Sequence, residues 1–235
     1  IAEMRDQMPR IEHRITLSDP GDGFLDYESV LSSGGDVFKD VDVAPDDVAW
    51  FFYTSGTTGM PKGAMLTHRN LMAMTMSFYA DMCPGFGTHE AVLHAAPLSH
   101  GSGLYALPNI GKAAMNIIPE DRTFDPQKVF EAIQEHRITN FFAAPTMVKR
   151  LVESSAVDSS DHSSLKAVIY GGGPMLVDDL LLAIEKLGPC LVQLYGQGES
   201  PMTISYLPQE DHVLDGDADQ MRRLASAGYA HVNVE

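Results

Sequence analysis

The sequence predicts an α/β fold built on a largely parallel sheet flanked by helices. From Asp47 onward, short apolar runs alternate with amphipathic stretches, the texture of strands interleaved with crossover helices. Three apolar runs end in glycines, at 53–59, 170–173 and 195–198. Open parallel sheets hold ligands beyond the carboxyl ends of their strands, so the three glycine loops are expected to line one cleft.

Residues 1–47 read as an irregular approach segment, punctuated by Pro9, Pro20-Gly21-Asp22-Gly23 and Ser32-Ser33-Gly34-Gly35, with one short helix at Tyr27–Leu31. Residues 48–235 read as the α/β core. Val48–Tyr53 is expected as a buried strand. Thr67 caps a helix running to about Tyr79, with Leu71, Met74 and Phe78 on one face. Ala91–Ala95 reads as a strand, followed by a helix that Pro108 bends or interrupts, and Met115–Ile118 as another short strand.

Asp125-Pro126 is a cap followed by a first-turn proline, and Val129, Phe130 and Ile133 supply the buried stripe of the helix up to His136. Ile138–Ala144 is a strand, Pro145 opens a helix to about Ser154, and 154–164 reads as a polar loop. Leu165–Tyr170, a helix at Val177–Leu187 and a strand at Leu191–Tyr195 complete the alternation. The methionines at 65, 72, 74, 76 and 82 are expected to fill core around the helix after Thr67. Asp178 and Asp179 fall in a first helical turn, where negative charge is favourable.

Composition narrows the functional classes. The chain has 235 residues and 44% hydrophobic content, enough for one large or two modest domains. Sixteen basic against thirty-two acidic residues give a net charge of −16, which opposes nucleic acid and anionic membrane over most of the surface. Two cysteines, Cys83 and Cys190, lie in no metal-ligand spacing, which fits a reduced cytoplasmic setting. No run of about eighteen apolar residues exists to form a membrane span. The start without Met, and an end at His231–Glu235 that reads as a strand cut short, suggest a piece of a longer protein.

The densest chemistry lies in Tyr53-Thr54-Ser55-Gly56-Thr57-Thr58-Gly59-Met60-Pro61-Lys62-Gly63. Glycines let backbone N–H groups approach phosphate oxygens, hydroxyls add donors and the lysine neutralises charge. The Walker register fails, because Lys62 follows a proline and precedes a glycine. By composition alone such a string is more often a surface turn than a nucleotide site. Gly171-Gly172-Gly173-Pro174 alone reads as an ordinary strand-to-helix turn, Tyr195 or Glu199 alone as core or solvated surface, and His100 alone as a structural imidazole.

Taken together, these segments resemble the adenylate-forming superfamily of acyl- and aryl-CoA synthetases, peptide-synthetase adenylation domains and luciferase-type enzymes. Thr54–Gly63 resembles its signature loop, and Leu66-Thr67-His68-Arg69-Asn70-Leu71 the helix start that follows it. Gly171-Gly172-Gly173-Pro174-Met175 is similar to its adenine-pocket turn, and Tyr195-Gly196-Gln197-Gly198-Glu199 to its next motif. Pro97-Leu98-Ser99-His100-Gly101-Ser102-Gly103 resembles a segment bordering the acyl pocket, closest to acyl-CoA synthetases.

The resemblance implies the core of the large N-terminal domain of such an enzyme. Thr54, Ser55, Gly56, Thr57, Thr58, Gly59 and Lys62 would cradle the phosphates of ATP. Gly171, Gly172, Gly173 and Pro174, with Tyr195, Gly196, Gln197 and Gly198, would hold the rest of the nucleotide. Glu199 and Thr57 would hold Mg²⁺, and His100 would border the acid. A carboxylic acid would become an acyl-adenylate and then a coenzyme A thioester. The family usually has threonine where this chain has Gly198, a hydroxyl fewer near the α-phosphate. No catalytic side chain is identified within the chain, the family's catalytic lysine being expected beyond Glu235. The chain alone is therefore expected to bind nucleotide without efficient turnover. The alternatives are a non-catalytic nucleotide-binding or scaffold module and a peptide-synthetase adenylation domain.

Overall fold

The computed structural model describes residues 9–54, 59–120 and 123–234, and the chain divides into two units, Ile1–Val43 and Ala44–Glu235. In the first unit, strands β1 (Ile15–Thr16) and β2 (Leu25–Asp26) pair in parallel, and helix α1 (Tyr27–Ser32) follows. The Asp26 carboxylate caps that helix, accepting from the Ser29 backbone N–H at 2.8 Å and its hydroxyl at 2.9 Å.

The second unit opens with an antiparallel hairpin, β3 (Val48–Thr54) and β4 (Lys62–Thr67). Trp50 and Phe52 turn inward onto the core. Phe51 and Tyr53 point outward and are 54% and 70% exposed, so β3 is half-buried and not the fully buried strand its apolar run suggests. Thr67 ends β4 and caps α2 (His68–Ser77) through a reciprocal box with Asn70, and the chain continues as one π-helical turn at Phe78–Met82. Met74 and Met82 are buried beside this helix, whereas Met65, Met72 and Met76 are more than half exposed, so core filling accounts for only two of those five methionines.

Next come β5 (Ala91–Leu93), the short helices α3 (Gly101–Leu104) and α4 (Ala106–Gly111), and β6 (Met115–Ile117). Pro108 sits in the first turn of α4, and the break falls before it at Tyr105. Helix α5 (Pro126–His136) leads to β7 (Asn140–Ala143), and α6 (Pro145–Glu153) and α7 (Ala156–Ser159) lead to β8 (Ala167–Tyr170). Asp125 caps α5 by accepting from Gln127 N–H at 2.9 Å. The segment expected as a polar loop contains α7 because Ala156 and Val157 are apolar and buried. Helix α8 (Val177–Leu187) then leads to β9 (Leu191–Gln197), antiparallel β10 (Ser200–Leu207), α9 (Ala218–Leu224) and β11 (Tyr229–Ala230).

The main sheet has the order β11-β10-β9-β8-β7-β5-β6, with β9 through β6 parallel. Alternate residues of its central strands feed two cores. Leu93, Phe141, Val168, Tyr170 and Leu191 face α5, α6 and α8, while Val92, Phe142, Ile169 and Val192 face α2, α3 and α4. Burial on both faces explains why these strands read as unbroken apolar runs. Each large side chain so enclosed contributes roughly 1.5–3 kcal/mol relative to exposure. Strand order reverses between β5 and β7, and ligand crevices form at such a reversal. Among the described residues no helix is long and apolar enough to cross a membrane.

Candidate nucleotide site

At the carboxyl end of β8, Tyr170 is fully enclosed and the chain turns into Gly171-Gly172-Gly173-Pro174. The Tyr170 hydroxyl meets His212 Nε2 at 3.0 Å, and His212 Nδ1 lies 2.8 Å from the Pro208 carbonyl. This pair fixes the floor beneath the turn. Burial drives the Tyr170 phenol up and the His212 imidazole down, so both are held neutral. The glycines then have distinct reasons. A Cβ on Gly171 would stand 2.5 Å from the Leu194 carbonyl oxygen, so its bareness lets β8 end against β9. Gly172 has φ of +83°, a left-handed turn conformation. A Cβ on Gly173 would meet only Pro145, at 4.0 Å.

Gly172, Gly173, Pro174 and Met175 form one wall of a cleft of about 420 Å³ whose other walls are Gln193–Gly196 and Leu224–Ala227. Two of the three glycine turns therefore meet, with Tyr195 between them. Gln197 Nε2 donates to the Tyr195 hydroxyl at 3.2 Å. Gln193 Oε1 is buried in this wall with no hydrogen-bond partner among the described residues. A buried amide oxygen left unpaired is costly, so a donor is missing from the protein side. Sequence reasoning passed over Gln193 and gave no site role to the Leu224–Ala227 wall. The signal for the first was a polar residue inside an otherwise apolar strand, and for the second the Asp217–Gln220 capping box that starts α9.

The third glycine loop begins at Thr54, on β3, and ends at Lys62, the first residue of β4, and the two are register partners in the hairpin. Ser55, Gly56, Thr57 and Thr58 lie outside the described residues; Gly59 is exposed with φ of +80°. Thr54 reaches the β9–β10 turn: a Cβ on Gly198 would stand 2.5 Å from Thr54 Cγ2 and 3.1 Å from the Phe52 ring. A Cβ on Gly196 would in turn stand 2.4 Å from the Met202 backbone nitrogen.

Glu199 is exposed on the other side of that turn. With Asn70, Ser77, Ser200, Thr203 and Asn233 it lines a polar recess of about 140 Å³, apart from the cleft that holds Tyr195. No three His, Cys, Asp or Glu side chains gather as a metal cage among the described residues. His100 is exposed and caps α3 by position, its ring 6.2 Å from that of Phe52 in an edge-on arrangement. The segment carrying it is held from below by buried His94, whose Nδ1 meets Ser102 Oγ at 3.0 Å and whose Nε2 meets Asn116 Oδ1 at 2.8 Å. A separate, mainly apolar cleft of about 360 Å³ opens where β5 and β6 end, between Leu98, Phe124 and Met147. His100 is outside its lining.

The sequence matches the family of AMP-binding enzymes over residues 2–235. It is 35% identical over 187 residues to the medium/long-chain fatty-acid–CoA ligase FadD8 of Mycobacterium tuberculosis, covering 80% of this chain and 31% of that protein. It is 36% identical over 172 residues to a feruloyl-CoA synthase of an Amycolatopsis species, covering 72% and 34%. The chain thus spans about a third of the length of these relatives. Among solved structures, the amide bond synthetase McbA of Marinactinospora thermotolerans superposes with a TM-score of 0.80 at 28% identity, over 98% of this chain and 44% of that one.

Proposed function

This chain belongs to the AMP-binding enzyme family, and we propose that it forms the nucleotide-binding part of an acid–thiol ligase that uses ATP to activate a carboxylic acid. The observation that supports this most directly is the unpaired Gln193 Oε1 in the wall of the Gly172–Tyr195 cleft. Turned toward the cleft by a side-chain rotation, that carbonyl suits the exocyclic amine of adenine, whose flat ring fits between the Gly172-Gly173 backbone and the half-exposed Tyr195 ring.

In this reading the acid's carboxylate oxygen attacks the α-phosphorus, the bond to the bridging oxygen breaks, and pyrophosphate leaves with its electron pair. A thiol sulfur, that of coenzyme A, then attacks the acyl carbon and gives up its proton, and AMP departs with the electron pair of the acyl carbon–oxygen bond. The substrate supplies the nucleophile in both steps, so the protein's task is positioning and charge neutralisation. Lys62, at the mouth of the hairpin, and the donors of the 54–59 segment neutralise the departing phosphates. Mg²⁺ commonly takes one or two carboxylates together with phosphates and water, and Glu199, next to Gly198 on the β9–β10 turn, would hold it with Thr57 of the loop. When bound, the ion neutralises phosphate charge. His100 borders the acid from the Phe52 side.

The names of the sequence relatives support a thiol acceptor. The likeness to McbA supports a second reading in which an amine, not a thiol, takes the acyl group. Supplying the protein that contains this chain with ATP, a panel of fatty and aryl acids, and either coenzyme A or an amine separates the two. Acyl-CoA formation supports the first reading, amide formation the second, and a response confined to amino acids contradicts the acyl-CoA reading. Since the chain spans a third of its ligase relatives, the 235-residue polypeptide is expected to bind nucleotide without efficient pyrophosphate exchange.

A further inference from the structure

The first turn of α3 has little but backbone to hold it. Gly101 and Gly103 flank Ser102; a Cβ on Gly101 would stand 3.0 Å from the Phe142 ring, and one on Gly103 would overlap the Leu98 carbonyl. Ser102, itself buried, is the one residue of these three with a side chain to anchor the turn. Its partner is His94, buried just past the end of β5.

The direction of the bonds follows from Asn116 on β6. Its amide nitrogen donates to the Ala114 carbonyl at 3.0 Å, so its oxygen is the acceptor that meets His94 Nε2 at 2.8 Å and Asn109 Nδ2 at 3.2 Å. The imidazole N–H is therefore on Nε2, and Nδ1 accepts from the Ser102 hydroxyl at 3.0 Å. One buried ring thus ties α3 to the ends of β5 and β6. His100 stands at the start of that same turn, its N–H bound to the Pro97 carbonyl at 3.1 Å.

We infer that His94 is a positioning residue for the carboxylic acid, acting through Ser102 on the turn that carries His100. This deepens the ligase reading and rests on it. His94 touches neither nucleotide cleft wall nor hairpin, so its effect falls on the acid and spares ATP.

The test measures pyrophosphate release by the protein that contains this chain, using whichever fatty or aryl acid of the panel supports the fastest release. The acid is varied at saturating ATP, and ATP at saturating acid. His94→Asn sets an amide oxygen near the Nδ1 position, keeping an acceptor for Ser102 and losing Asn116; His94→Gln reaches Asn116 and loses Ser102. His94→Gln and Ser102→Ala are each expected to raise the KM for the acid about fivefold or more, with the KM for ATP within about twofold of wild type. His94→Asn is expected to stay within about twofold for both, although it also loses a buried hydrogen bond and melts lower. Loss of folded protein alone lowers kcat and moves neither KM, so the acid KM separates positioning from stability. Equal acid KM values in His94→Asn and His94→Gln, an unchanged acid KM in Ser102→Ala, or a matching rise in the ATP KM overturns the inference and leaves the ligase reading standing. Ser102→Ala, the smallest change, decides alone where His94→Gln does not fold. A wild-type protein that releases no pyrophosphate with any acid overturns both.

Discussion

The Tyr170 hydroxyl stands 3.0 Å from His212 Nε2, and since His212 Nδ1 faces the Pro208 carbonyl at 2.8 Å, the ring's one proton sits on Nδ1 and its acceptor faces Tyr170. Burial lowers the His212 pKa, opposed more weakly by the Pro208 carbonyl and by the charges of Asp211 and Glu210. The fold thus favours the neutral ring. In the unfolded chain a histidine titrates near 6.5, so above about pH 6.5 neither state is protonated and this site makes stability pH-independent. Below that value the unfolded chain takes up a proton that the fold refuses, and stability falls until the lowered folded pKa is reached. Replacing His212 by Gln retains an acceptor and a donor without the titration. The difference in melting temperature between wild type and His212→Gln should shrink between about pH 7.5 and 5.5. A constant or growing gap would mean that the buried imidazole is not held neutral.

Asp81 ties the π-helical turn to the far end of the chain. Its Oδ2 lies 2.8 Å from His231 Nδ1 and accepts from the Val232 N–H at 3.0 Å, while the His231 ring stacks on Tyr206. Hydrogen bonds to a charged acceptor contribute about 1.5–3 kcal/mol. Asp81→Ala should therefore cost about 2–4 kcal/mol in urea unfolding, or roughly 5–12 °C in melting temperature. Unfolding at the wild-type midpoint would show that the contact holds nothing in place.

The glycine turn after β8 separates packing from binding. Gly171→Ala drives a methyl to 2.5 Å from the Leu194 carbonyl oxygen and should cost about 1–3 kcal/mol of stability. Gly173→Ala meets nothing nearer than Pro145 at 4.0 Å and should stay within about 0.5 kcal/mol of wild type. Its methyl stands on the cleft, however, so ATP affinity should fall by about five- to tenfold, close to 1–1.4 kcal/mol. Equal affinity in Gly173→Ala and wild type would place the base elsewhere.

Elements with a strong period or cap were legible before any coordinates. Val177–Leu187 is a helix over the expected residues, and the Asp125-Pro126 start and the Thr67 cap sit where the sequence puts them. The antiparallel partners of β3 and β9, strands β4 and β10, were not legible. Strand β4 starts Lys-Gly straight after Pro61 and buries only Leu66, and β10 carries Pro201 and a left-handed Met202, so neither shows a clean alternation. An apolar run also overstates burial when one face of a hairpin is left outward, as for Phe51 and Tyr53. In the site, glycine-rich turns stood out because their composition is unusual. Gln193 did not, since one polar residue in a strand gains meaning only once its carbonyl is seen to lack a donor.

The central claim is that the cleft between Gly172 and Tyr195 receives adenine, with Gln193 Oε1 as its acceptor. Calorimetric titration of the 235-residue chain with ATP and with GTP, each with Mg²⁺, tests it directly when repeated on Gln193→Leu. A carbonyl oxygen rewards the amine of adenine and opposes the carbonyl that guanine carries at the same position. Wild type should bind ATP at least about tenfold more tightly than GTP, and Gln193→Leu should lose most of that preference at a similar melting temperature. No saturable ATP binding by a folded wild-type chain, or a preference for ATP that survives in Gln193→Leu, would contradict the account.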